Sequence, residues 1–400
     1  MKSEIHWFSV WQFTLSSLAI FALWSIALVL AILGLVEAFS PPAAANETLS
    51  LFLMAGGLAA SGLLLAPSAV FALLRLTGRE VRLPDAPGRL RPSRLIFTLP
   101  LVLLVGYWVS EQIDLAWLLL PPLHVLAIGL PVLWLLYLGT RGLPSGSPQR
   151  RWGVFGSGLV LGPALILAAE LVALLAIVMV SAILIASQPA MAEEINSLLQ
   201  QLMQTGATPE EVIQTFRPYL LQPLVLFGIF SFAAVIVPMI EELLKPVGVW
   251  LLAGRDLSPA AGFVAGVLSG AGYALFESLA LSSSGESWAF LVTARIGTAV
   301  IHILLTGMVG WALALAWRGG RYLRLAAAYL AAVLVHGAWN GMTLLTIFPS
   351  LMAVEEVQPE LAFLYQLGSV APVGLGVLAV GGFALLLWAN RRLRHADRVL

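Results

Sequence analysis

Residues 220–252 read LLQPLVLFGIFSFAAVIVPMIEELLKPVGVWLL. A helix needs about 20 apolar residues to cross a hydrocarbon core of ~30 Å, and this run exceeds that. Yet Glu241, Glu242 and Lys245 lie inside it. An ionisable side chain in hydrocarbon costs roughly 3 kcal/mol or more, so such groups mark function by default. The three apolar segments that follow carry Glu277, then Arg295 and His302, then His336 and Asn340. Four consecutive membrane helices each offering an acid, a base or a ligand read as one buried catalytic site, that of an intramembrane hydrolase.

Composition agrees with a membrane setting. Of 400 residues, 60% are hydrophobic and only 10% charged, against about a quarter charged in a soluble domain. A formal net charge of +0 argues against a nucleic-acid partner. The absence of cysteine excludes disulfides, thiol nucleophiles and Cys-ligated metal, leaving His, Asp and Glu for any metal chemistry. The first apolar run, from about Val10 to Val36, is much longer than the ~7–15 residues of a signal-peptide core and reads as a retained span. The alternative to a retained span is cleavage at the small-residue stretch Ala43-Ala44-Ala45.

The predicted fold is all-α, a polytopic membrane helical bundle of about ten spans. They are placed at 10–36, 51–74, 95–109, 115–138, 154–187, 220–252, 259–281, 288–317, 325–347 and 361–389. The break at Glu111 and Asp114 sets off a short third span. Arginines fall in alternate loops: Arg75 to Arg94, then Arg141, Arg150 and Arg151, then Arg318, Arg321 and Arg324, then the tail from Arg391 to Arg398. The intervening loops carry acids, among them Glu47, Glu193, Glu194, Glu286, Glu355 and Glu356, and only Arg217 breaks the alternation. The positive-inside rule then puts both termini in the cytoplasm. Residues 1–150 form N-terminal helices of unassigned role. Residues 151–218 hold the long fifth span and an extracytoplasmic segment, 219–347 the catalytic core, and 348–400 the final span and basic tail. In the outer segment Ile195, Leu198, Leu199, Leu202 and Met203 recur at helical spacing, an amphipathic helix lying at the lipid interface or serving as a lid. A second helix is predicted from Thr208, with Pro209 first and Glu211 completing a capping box.

Glu241 and Glu242 lie four and three residues before Lys245, so either acid can meet the ammonium. Neighbouring carboxylates repel and burial favours the acid form, while a nearby cation favours the anion; together these make a general base. The plainer alternative is an ion pair at a helix end, with Lys245 snorkelling and Pro246 and Gly248 permitting a break. Gly262, Gly266 and Gly270 form a stripe that lets another helix approach closely, which holds Glu277 against protein. At 1.5 Å per residue, Glu242, His302 and His336 lie roughly 15–22 Å from the cytoplasmic end of their spans, and Glu277 nearer ~27 Å. Glu170, after a glycine-rich stretch and Pro163, is a further buried acid left outside the site; that span is expected to bend or break.

The pattern Glu241-Glu242-x-x-Lys245, Phe276-Glu277, Arg295-x6-His302 with Gly310 beyond, and His336-Gly337-x-x-Asn340 resembles the PrsW family of intramembrane proteases, related to the CAAX prenyl protease and bacteriocin-processing superfamily. The resemblance covers about residues 238–341. It implies a multi-pass protein of a prokaryotic cell membrane that cleaves membrane-associated proteins, with anti-sigma factors as the best-known substrates. The family often has Asn after the second-motif Glu, where this chain has Ser278, which puts its activity in question.

Glu241 or Glu242 can serve as base, and His302 and His336 can donate to an oxyanion. In a metal version two histidines and one carboxylate, His302, His336 and Glu277, would hold zinc with an open position for water. No His-Glu-x-x-His motif is present. A proton-coupled transporter would use the same residues but would repeat broken helices in two halves, and a non-catalytic scaffold or immunity-type protein would keep the fold without turnover.

Overall fold

The computed structural model describes residues 6–39, 45–79, 92–281, 285–351 and 361–399. Nine-tenths of the described residues are helical, and no strand is found among them. Ten of the described helices are long and apolar enough to cross a membrane: Trp7–Ala38, Glu47–Leu76, Ser93–Ser110, Ala116–Thr140, Pro148–Ala186, Pro223–Trp250, Pro259–Leu279, Ser287–Gly319, Tyr322–Phe348 and Ala362–Ala396. They are called the first to tenth spans below. Ala43 and Ala44, Arg82, Arg89 and Arg91, and Glu355 and Glu356 lie outside the described residues.

The fifth and sixth spans share one device. Gly162 N–H bonds to Ser157 O and Val237 N–H to Phe232 O, each closing a π-turn immediately before a proline, Pro163 or Pro238. Proline has no N–H and its ring collides with the carbonyl four residues back, and one extra residue in the preceding turn relieves both conflicts. The fifth span therefore continues past Pro163 to Ala186 without breaking. The sixth does break, at Lys245-Pro246, between the helices Val237–Leu244 and Val247–Trp250. The freed Lys245 carbonyl accepts a hydrogen bond from Ser269 Oγ at 2.6 Å.

The described residues fall into two compact units. The first is drawn from Met1–Ala164, Glu242–Ala332 and Gly376–Leu400. At its centre the seventh span is packed on two sides by backbone. A Cβ on Gly262, Gly266 or Gly270 would run into Gly310 O, Thr306 O or His302 O of the eighth span. Steps of four on one helix meet steps of four on the other, so the glycines fix an antiparallel register that sets Gly270 opposite His302. On another side Gly272 backs onto Phe155 O, and Gly158 onto Ser269 O.

The second unit comprises Leu165–Glu241 and Val333–Leu375. Its outer segment contains the amphipathic helix Pro189–Thr205, closed by Gly206 in the left-handed region at φ 63°. The next helix, Pro209–Leu220, has the capping box in full: Thr208 Oγ1 accepts from Glu211 N–H, and Glu211 Oε2 from Thr208 N–H at 2.8 Å. Glu194 accepts the Tyr219 hydroxyl, which pushes that proton's pKa above its usual value. Leu226, Phe348 and Leu361 form a small buried cluster.

Candidate active site

The first unit holds a continuous line of ionisable groups. Lys245 Nζ donates to Glu242 Oε1 at 2.9 Å and lies 2.9 Å from His302 Nδ1, with Glu242 and Lys245 fully buried. His302 Nε2 is 2.7 Å from Glu277 Oε2, and Arg295 reaches the same oxygen at 2.6 Å. An ammonium only donates, so His302 Nδ1 is assigned as acceptor and the ring proton falls on Nε2, given to Glu277. The Tyr273 ring meets His302 edge-on, centroids 5.1 Å apart, and Lys245 Nζ stands 4.7 Å from the Tyr273 centroid. These two contacts hold the imidazole and the ammonium in place.

The glycine register explains how Glu277 reaches His302. Gly270 faces His302, and Glu277 lies seven residues further along, about 10 Å. Helical side chains lean toward their own N-terminus. In antiparallel neighbours the Glu277 and His302 side chains therefore lean toward each other and close the gap. The greater depth expected for Glu277 came from counting Cα rises alone.

Ser278 Oγ accepts from Arg295 Nε at 3.0 Å. The residue that departs from the family pattern is thus a hydrogen-bond acceptor for the arginine that holds Glu277. Two residues not singled out in the sequence stand behind this end of the site. Trp288 Nε1 donates to His124 Nδ1 at 3.2 Å, both fully buried, and a side chain on Gly106 would strike the Trp288 ring. A lone histidine in an apolar helix gives no sign of a partner 164 residues away.

The second unit holds the other half of the sequence motifs. His336 Nε2 lies 3.8 Å from Glu241 Oε2, both buried. Asn340 Nδ2 donates to Ala233 O at 2.9 Å. That carbonyl is left over by the π-turn, because its helical donor Val237 bonds to Phe232 instead and the next residue, Pro238, has no N–H. A Cβ on Gly337 would strike Ala234 O, the acceptor that Pro238 also leaves without its usual donor. Asn340 and Gly337 therefore read the two irregular carbonyls of the sixth span and set His336 beside Glu241. Glu170 of the long fifth span belongs to this unit as well, away from the motif positions in sequence.

A carboxylate and an imidazole 3.8 Å apart suit a metal in donor chemistry and nearly in spacing, since two ligands at ~2.1 Å on a tetrahedral ion stand about 3.4 Å apart. His302 and Glu277 are differently placed, with both ring nitrogens and the carboxylate already engaged within the first unit. To ligate a metal, His302 has to release Lys245 or Glu277.

No curated protein and no solved structure matches the chain. The profile of the PrsW family of intramembrane metalloproteases matches residues 159–370, just over half the chain, and takes in every one of the motif residues above. The sequence motifs, the ten apolar helices and this match agree: the chain belongs to the PrsW family of intramembrane proteases, multi-pass proteins of the lipid bilayer that act on membrane proteins.

Proposed function

We propose that this protease hydrolyses its substrate with a carboxylate-activated water, Glu242 acting as the base. The observation that carries the reading is the line Glu242–Lys245–His302–Glu277–Arg295, buried through His302 and partly exposed at Glu277 and Arg295, whose successive contacts are 2.9, 2.9, 2.7 and 2.6 Å. Hydrolysis needs an activated water, a stabilised oxyanion and a proton for the leaving amine. Lys245 neutralises and orients Glu242. Glu242 takes one proton from water as the water oxygen bonds to the carbonyl carbon. The C–N bond then breaks, and Glu242 returns the proton to the amine nitrogen. Glu277, clamped by Arg295, holds His302 in its Nε2–H form, and His302 in turn fixes Lys245. Glu241 is joined to Glu242 by one peptide bond, and on that ground the Glu241–His336 pair is assigned to the same chemistry, His336 donating to the oxyanion.

Where zinc is bound, Glu241 and His336 would offer it a carboxylate and an imidazole, and it would supply Lewis-acid polarisation of the carbonyl and a more acidic water. The first substrates to test are single-span regulators of the anti-sigma-factor type in a prokaryotic membrane, the class the family resemblance implies.

The test is cleavage of a membrane-spanning substrate by purified protein in detergent. Glu242→Gln and His302→Ala, made separately, are each expected to lower turnover by about 10²-fold or more. Near-parental cleavage by both variants would refute the assignment. Metal content and chelator sensitivity of the same sample distinguish zinc-assisted from metal-free chemistry. A parent protein that cleaves nothing but moves protons across liposomes would put a transporter in place of this mechanism.

A further inference from the structure

The first unit contains a concavity of about 760 Å³, on the face of the seventh span opposite Glu277. Val264, Leu268, Leu275 and Leu279 form one wall, spaced along a single helical stripe. From Val264 to Leu279 the groove runs ~22 Å along that helix. Its walls from the second and fourth spans are apolar, and Leu63 and Leu126, which are exposed, mark the side that opens outward. All of its polar lining comes from one end, the 140–151 connection: Thr140, Ser145 and Arg151. That connection carries Arg141, Arg150 and Arg151 and no acid. Arg151 Nε is buried there with no hydrogen-bond partner, a state that calls for an acceptor.

Lining decides between occupants. The groove is apolar along ~22 Å and polar at one end only, where the side chains are basic, the pattern of an acyl chain with an acidic headgroup. We propose that it is a binding site for an anionic phospholipid, with the phosphate at Arg151 and an acyl chain along the seventh span. An apolar cavity of a few hundred Å³ with a few polar groups at one end is the usual form of a ligand site, and basic pockets between membrane helices hold acidic headgroups. The site does not depend on the catalytic assignment, since none of its lining residues belongs to the relay.

The experiment is native mass spectrometry of the delipidated full-length protein with phosphatidylglycerol or phosphatidylcholine of identical chains. The parent is expected to retain one phosphatidylglycerol about fivefold more strongly than phosphatidylcholine, the contribution of one cation near an anionic headgroup. Arg151→Gln removes the preference while still binding both lipids. Gly129 lines the groove and has open space where a Cβ would stand, so Gly129→Leu fills the groove without a collision and removes retention of both lipids. An unchanged melting temperature for Gly129→Leu shows that the fold survives. Equal retention of the two lipids by the parent, or unchanged retention by either variant, overturns the proposal and leaves bulk lipid as the occupant.

Discussion

Both ring nitrogens of His302 are engaged, one by a cation and one by an anion, which fixes its tautomer and its orientation together. The anion is steadied in turn by Arg295, and Arg295 by Ser278. Ser278→Ala removes the last acceptor in this series. Kinetics on a membrane substrate should show kcat lowered about 5–10-fold with KM little changed, the effect of about 1 kcal/mol on a positioning contact. Ser278→Asn offers a carbonyl acceptor in the same place and should retain most of the activity. If Ala behaves like the parent, Ser278 has no part in orienting Arg295. In the sequence Ser278 is legible only as a departure from a pattern, because its partner lies 17 residues away in another helix. His124 is not legible at all, for the reason that its partner Trp288 comes from a different part of the chain.

At the scale of elements, the seventh and eighth spans are registered by absent side chains. Gly266→Val would place a branched side chain against Thr306 O, with backbone on both sides and no flexible group to yield. The expected cost is about 1–3 kcal/mol or more, measured as lost thermal stability in detergent, with loss of activity following from a displaced His302. A Gly266→Val protein with unchanged melting temperature would mean the helices are not held at this distance. The glycine stripe was readable because its spacing of four has one interpretation, a packed face. The π-turns were less so. Pro163 foretold irregularity in the fifth span, but whether a helix breaks, kinks or takes in an extra residue depends on which carbonyls find donors. In the sixth span that donor is Asn340, more than 100 residues away.

For the whole molecule, all ten spans are legible from length and hydropathy, most ends within about four residues and the start of the fifth and end of the tenth within about seven, since the requirement to bury backbone polar groups in lipid leaves only helices. The arginine alternation makes a further prediction: the Arg75–Arg94 loop and the Arg391–Arg398 tail lie together on the cytoplasmic side. Labelling of introduced cysteines that puts them on opposite sides would require an odd number of spans between them, with the short third span the first to remove.

The seventh span brings a different consequence, for biogenesis. Its mean hydropathy of 1.4 is at the low end of the ten, and 78% of its most apolar stretch is shielded by protein; the eighth, at 2.0, is 83% shielded. A helix suited to neighbours and not to lipid is a weak substrate for the translocon, which partitions each segment by its own transfer free energy as it leaves the ribosome. The glycines that bring Glu277 to His302 thus make the seventh span reliant on the eighth to enter the membrane, the two inserting as a hairpin. Glycosylation mapping in microsomes should find residues 259–279 poorly inserted alone and residues 259–319 well inserted together. Full insertion of the seventh span by itself would show that catalytic packing and membrane entry make no conflicting demands on it.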